Sequence, residues 1–375
     1  MKTTPMMILV LGIVSATFLV IIALYVLLYL RRLSSRDGSE RKKDVERSEQ
    51  ERKEEEEEEG DEMVAMKEDL MIFHGGEDLT ICDILDAPGE VIGKSNYGTL
   101  YKALLQRSNK VRLLRFLRPV CITTRGEDFD EMIQFLGRLR HPNLVPLLGF
   151  YTGPRGEKLL VHPFYRNGNL SQFIRDGNGE CYKWSNICKI SYGIAKGLEH
   201  LHTGLDKPII HGNLKSKNIL LDRSYQPYIS DSSLHLLLNP TAGQEILESS
   251  AAQGYKAPEL IKMKHASEET DIYSLGVIFL ELLSGKEPIN EHPTPDEDFY
   301  LPNFMRNAVL AHRTCDLYHP AILLRNSRDD HNKNSSVSEE SILKFFQLAM
   351  ACCSPSPSVR PNIKLVLRKL EEIIH

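Results

Sequence analysis

The sequence predicts an α+β fold of two lobes, a small β-rich part before a larger helical part, preceded by one transmembrane helix. Three observations carry this. Residues 6–30 form one uncharged run, residues 31–69 are almost wholly polar, and from about Leu70 short β-like runs precede long helix-like ones. At 375 residues the chain exceeds one average domain, and 42% apolar residues are too many for a mainly disordered protein. A formal net charge of −5 argues against a basic, nucleic-acid-binding body. Seven cysteines, an odd number without a CxxC pair, fit buried thiols in a reducing compartment better than disulfides or zinc.

Met6–Leu30 spans 25 residues without a charge. At about 1.5 Å per residue this is roughly 37 Å, enough to cross a hydrocarbon core of about 30 Å. A cleaved signal peptide carries an apolar core of only about 7–15 residues. Arg31, Arg32 and Arg36 follow the run, whereas only Lys2 precedes it. The positive-inside tendency therefore places residues 31–375 in the cytosol and leaves 1–5 outside. The expectation is a single-pass protein of the plasma membrane.

Residues 31–70 hold 10 basic and 16 acidic side chains, including Glu54 to Glu59 in succession. The remainder from 71 onward balances at 35 against 35. The acidic surplus belongs to one segment, a solvated tether with no core of its own.

In the folded body, Gly89–Gly93, Thr99–Leu105 and Val111–Leu117 read as strands. Phe129–Leu139, Trp184–His202, Thr270–Ser284 and Ser341–Cys353 read as helices. Asn326–Ser341 is polar and reads as a flexible insert. The expected division is a small lobe over 70–162 and a larger one over 163–375.

Six motifs in order give the body a family resemblance. They are Ile92–Ala103 with Gly93, Ser95 and Gly98, His211–Asp222, Ile229–Leu234, Gly254–Glu259, Asp271–Val277 and Arg360-Pro361. Together they resemble a protein kinase domain: glycine-rich loop, catalytic loop, metal-binding turn, end of the activation segment, central helix and closing arginine. Leu159-Leu160-Val161, His141–Val145 and Asn167–Leu170 look like plant leucine-rich-repeat receptor-like kinases.

The resemblance implies a degenerate site. Phosphoryl transfer rests on positioning and charge neutralisation. Ser95 replaces the middle glycine of the loop, adding a Cβ where the backbone meets phosphate. Aligning Val111–Phe116 puts Leu114 at the position of the phosphate-gripping lysine. Arg112, on the face of Leu114, then opposes nucleotide access. Met132 falls where the helix glutamate belongs. A register shifted by one residue instead offers Arg115 and Glu131 as a substitute pair. Asn213 stands at the catalytic aspartate, and an amide has no basicity near neutral pH. Asp231 and Asn218 remain as weak Mg²⁺ ligands, but Ser232 and Ser233 replace the following Phe and Gly. Lys215 remains for phosphate, and the Tyr165 N–H for an adenine ring. Gly93, Ser95, Gly98, Lys215, Asn218, Asp231 and Tyr165 form a vestigial nucleotide site. His211, Asp271, Glu259 and Arg360 are scaffold residues.

What is retained folds the lobes, and what is missing does chemistry. The expectation is a membrane-anchored pseudokinase acting as scaffold or allosteric partner of receptor-like kinases or other signalling proteins. It needs no cofactor and at most binds Mg-ATP weakly. The alternatives are a weakly active Ser/Thr protein kinase and a decoy lacking an ectodomain.

Overall fold

The computed structural model describes residues 68–123, 126–176, 179–232, 234–261, 265–289, 300–326 and 338–374. The expected membrane span, nearly all of the acidic tether and most of the polar insert lie outside these residues. Among the described residues no helix is long and apolar enough to cross a membrane.

The small lobe is an antiparallel sheet. Its strands are β1 (Asp69–Ile72), β2 (Gly89–Ser95), β3 (Gly98–Leu105), β4 (Lys110–Leu117), β5 (Gly149–Thr152) and β6 (Lys158–Pro163), in the spatial order β1-β5-β6-β4-β3-β2. Helix α1 (Ile81–Leu85) begins where Thr80 Oγ1 accepts the Asp83 N–H. The three strands read from sequence form β2–β4; β1, β5 and β6 complete the sheet. Two clusters cover its faces. Leu79, Ile84, Ala103, Leu105, Leu114, Leu148 and Val161 pack on one side. On the other, Leu117, Phe150 and Leu160 meet Phe129 and Ile133 of α2 (Gly126–Arg138). Gly137 of α2 is required by close approach, since a Cβ there would meet the Phe73 ring at 2.1 Å.

The large lobe starts with α3 (Leu170–Arg175), whose Asn169 and Gln172 form a capping box. It continues with α4 (Trp184–Thr203), the hairpin β7 (Ile219–Leu221) and β8 (Pro227–Ile229), and α5 (Pro240–Ala252). Then come α6 (Glu268–Ser284), α7 (Leu301–Leu310), α8 (Ala321–Asn326), α9 (Glu339–Cys352) and α10 (Ile363–Ile374). Helix α6 is buried on every side from Thr270 to Ser284, its apolar residues spread around the whole helix. Gly285 ends it in the left-handed region at φ +70. Cys352 and Cys353 are buried beside Gly276, whose absent Cβ leaves them room.

Candidate functional site

Strand β4 decides the chemistry of the cleft between the lobes. Its partners fix the register: Leu100 faces Arg115 and Lys102 faces Leu113 on β3, while Leu113 faces His162 on β6. Alternation then sends Leu113, Arg115 and Leu117 one way and Arg112, Leu114 and Phe116 the other. Leu114 is packed among Leu79, Ala103 and Val161, away from the cleft. Arg112 bonds Asp78 at 3.1 and 3.3 Å on that same far face. Both expectations are therefore corrected. Leu114 does not occupy the cation position, and Arg112 does not block the nucleobase slot. The cleft-facing cation is Arg115, and the bulky neighbour two residues before it is Leu113.

Arg115 Nη2 donates to Asp231 Oδ1 at 2.5 Å, with each side chain 11% exposed. Burial costs the guanidinium some charge stability, but Asp231 and Tyr97 outweigh it and hold its pKa above the usual value. Asp231 itself is held at φ +61, in the left-handed region. Glu131 is exposed, so the substitute pair Arg115–Glu131 does not form. Met132 packs half-buried against the Phe129–Ile133 cluster, an apolar contact where a charge pair was expected absent.

The β2–β3 turn closes over this pair. Ser95 Oγ donates to the Gly98 carbonyl at 3.2 Å. Gly98 has no room for a side chain, because a Cβ would meet the Phe116 carbonyl oxygen at 2.5 Å. Gly93 is not so constrained, its nearest contact being Leu100 at 3.5 Å. Tyr97, on the turn between them, interacts with Ser95, Arg115 and Asp231; burial and the Asp231 charge push its phenol up.

Below the cleft, Gly212 takes φ +70 and turns the loop that carries Asn213. Asp271 braces that loop: Oδ2 accepts the His211 N–H at 2.7 Å and His202 Nε2 at 3.0 Å, and Oδ1 accepts the Gly212 N–H at 2.9 Å. His211 Nδ1 accepts the Asn213 N–H at 3.2 Å while Nε2 donates to the Ser230 carbonyl at 3.0 Å. Both ring nitrogens are thus used in a neutral imidazole, and burial lowers its pKa accordingly. Asn213 is buried, and its Oδ1 has no hydrogen-bond partner among the described residues. Asn218 Nδ2 donates to the Asn213 carbonyl at 2.9 Å. Lys215 is buried and forms no ion pair among the described residues; desolvation lowers its pKa and the Asp231 charge opposes this.

Tyr165 lies just beyond β6, its ring tilted against that of Tyr228 with centroids 4.5 Å apart, and burial raises its phenol pKa. His162, on β6, donates Nδ1–H to the Pro146 carbonyl at 3.0 Å. Burial pulls its pKa down to about 4, so it is neutral. Arg360 and Glu259 form a bidentate pair at 2.6 and 2.8 Å, far from the cleft chemistry.

Sequence reasoning missed the segment that follows Asp231. Leu234, Leu237, Leu238, Ala242 and Ile246 pack onto Ile122, Phe129 and Ile133 of the small lobe. Main-chain bonds tie the two together: Thr123 N–H to Leu237 O at 3.3 Å and Asn239 N–H to Cys121 O at 2.9 Å. Asn239 Nδ2 adds a bond to Val120 O at 2.8 Å. The signal was present in Asn239-Pro240, a capping residue before a proline at the first helical position.

Comparison with known proteins agrees with this architecture. The family described as "Protein tyrosine and serine/threonine kinase" matches residues 87–370. The kinase-like protein TMKL1 of Arabidopsis thaliana is 36% identical over 366 residues, covering 97% of this chain and 52% of that protein. A receptor kinase of the same plant, named as inactive, is 32% identical over 314 residues, covering 82% of this chain and 46% of its own length. The chain thus spans about half the length of these curated relatives. Among solved structures, the maize sucrose-induced receptor kinase 1 domain bound to AMP-PNP superposes with a TM-score of 0.70 at 28% identity. It covers 82% of this chain and 100% of that one. The pseudokinase domain of BIR2, an immune regulator, gives 0.62 at 30% identity over 76% and 80% of the two chains. With bilobal fold, ordered motifs and relatives in accord, the chain belongs to the protein tyrosine and serine/threonine kinase family, with receptor-like kinases of plants among its homologues.

Proposed function

We propose that this domain acts by binding and not by phosphoryl transfer, as a membrane-anchored scaffold or allosteric partner of receptor-like kinases. The observation that carries the reading is the self-occupied cleft. Arg115 and Asp231 satisfy each other, and the loop residue that lines the same recess as Asp231 is the amide Asn213. A hydroxyl acceptor would find no base there. The kinship with an inactive receptor kinase and with a pseudokinase domain supports the same reading. The anchor rests on the uncharged run Met6–Leu30 and the arginines after it.

Mg²⁺ is the metal this fold family implies. Asn218 Oδ1 and the Asp231 carboxylate are suitable oxygen donors, but Arg115 already holds Asp231. The set fits the metal only once that pair opens. Bound Mg²⁺ would neutralise the phosphates of a nucleotide, with Lys215 beside it.

A second reading, a weakly active Ser/Thr kinase, draws on Arg115. The cleft does hold a cation, contrary to the expectation from Leu114, and it lies where a triphosphate would need one. Thermal melting of the full-length chain in detergent micelles, with and without Mg-ATP, combined with a phosphate-transfer assay, separates the readings. Binding-only function predicts no transfer. Transfer abolished by Asp231→Ala would establish the kinase.

A further inference from the structure

The turn His141-Pro142-Asn143, between α2 and β5, joins the lobes and is built on an imidazole. His141 Nδ1 accepts the Asn143 N–H at 3.1 Å. Asn143, which is buried, then fastens the small lobe to the β7–β8 hairpin of the large one. Its Nδ2 donates to the Pro227 carbonyl at 2.9 Å, and its own carbonyl accepts the Ile229 N–H at 2.8 Å. The Val145 N–H returns to the Ile229 carbonyl at 2.9 Å. Helix α4 leaves a seat for the turn. A Cβ on Gly193 would meet Asn143 Nδ2 at 2.8 Å, and one on Gly197 would meet the Asn143 carbonyl oxygen at 3.0 Å.

One turn beyond Gly197, His200 stacks on His141, with ring centroids 5.0 Å apart and planes 17° from parallel. Lys196, on the same helix, pairs with Glu199 at 3.0 Å. His200, Lys196 and Glu199 are the titratable groups of α4 that face the His141 ring. The hairpin meets the turn through Pro227 and Ile229, which carry no charge. Burial, His200 and Lys196 hold the His141 pKa below its ordinary 6.5, against the pull of Glu199. A ring that accepts an N–H at Nδ1 is neutral and carries its proton on Nε2.

We propose that this turn is an acid-released fastener between the lobes. A proton taken from solvent by His141 Nδ1 ends its role as acceptor, strands the Asn143 N–H in a buried place and sets a cation against His200. The Asn143 bonds to the hairpin loosen with it. In the loosened turn the ring is back in water and takes a proton at about 6.5, whereas the fastened ring takes one only at lower pH. Above about 6.5 the fastened state is therefore at full strength. Below it, the opening equilibrium rises by at most about tenfold per pH unit, until the fastened ring also titrates. The device holds whether the chain binds partners or transfers phosphate.

The test is amide hydrogen exchange of the full-length chain in detergent micelles, in steps from about pH 7.5 to about pH 5.5, each rate referred to the intrinsic rate at that pH. Protection of the Asn143, Val145 and Ile229 amides is expected to fall by about three- to tenfold across the range, while that of Leu275–Leu283 in α6 holds. His141→Asn offers a side-chain acceptor to the same N–H and takes no proton, so it is expected to keep its protection throughout. Lys196→Met removes a positive neighbour and leaves Glu199 to face the ring, so it is expected to move the loosening to higher pH. Unchanged protection across the range in the wild type, loosening shared equally by α6, an acid response that persists in His141→Asn, or a midpoint that Lys196→Met leaves in place would each overturn the fastener.

Discussion

Arg115 and Asp231 have side chains only 11% exposed, so removing one leaves the other's charge short of a partner in a largely dry cleft. Breaking a buried pair on one side costs about 3–5 kcal/mol, whereas replacing both members with apolar residues is often neutral. Arg115→Met is therefore expected to lower stability by about 3 kcal/mol in a denaturant titration. Arg115→Met combined with Asp231→Leu is expected to recover most of that loss. A second residue-scale prediction concerns Glu281. Its pKa in the fold, about 8, lies above the ordinary 4.5. Between those values the folded chain holds a proton that the unfolded chain has released, so this group's contribution to stability falls as pH rises from about 5 to 8. Melting temperatures measured across that range should show a shallower fall in Glu281→Gln. The motifs singled out His211, Asp271, Glu259 and Arg360; in the structure Asp271 accepts the His211 N–H at 2.7 Å and Arg360 pairs with Glu259 at 2.6 Å. The cleft cation was not. A period of two makes a one-residue slip invert the whole strand, and Val111–Phe116 is apolar or cationic on both faces. Only pairing with Leu100 and Lys102 resolves which arginine turns inward.

At the scale of elements, strands and helices with a clear period were visible in the sequence, and those fixed by tertiary pairing were not. Helix α6 reads plainly because Leu275–Leu283 is an apolar run broken only by Glu281. Strand β1 is four residues long and exists because Leu70 and Met71 pair with Tyr151 and Phe150. Helix α5 is polar for much of its length, and it docks through Ala242 and Ile246 together with three apolar residues that precede it, Leu234, Leu237 and Leu238. Asn239 joins the two roles: Oδ1 accepts the Ala242 N–H as the helix cap, and Nδ2 reaches Val120 of the small lobe. Asn239→Ala removes both bonds. It is expected to cost about 1–2 kcal/mol and to speed amide exchange in α5 before the rest of the large lobe. Uniform exchange across the molecule would argue against a separate role for this cap.

For the whole molecule, the two lobes are joined both by the chain itself and by the segment after Asp231, which lies against Ile122, Phe129 and Ile133 of the small lobe. The cleft is filled by its own residues at the phosphate end: Tyr97 from above, Arg115 from the sheet and Asp231 from below. A nucleotide has to part that cluster before it binds. Mg-ATP is accordingly expected to raise the melting temperature of the full-length chain by less than about 2 °C, where tight binding of about 100 Kd would add near 3 kcal/mol. The central claim is that this body recognises partners and transfers no phosphate. Incorporation of labelled phosphate from Mg-ATP into the chain itself and into a generic Ser/Thr substrate tests it most directly. The account predicts incorporation no greater than that of Asp231→Ala, and wild-type incorporation well above that variant would contradict it.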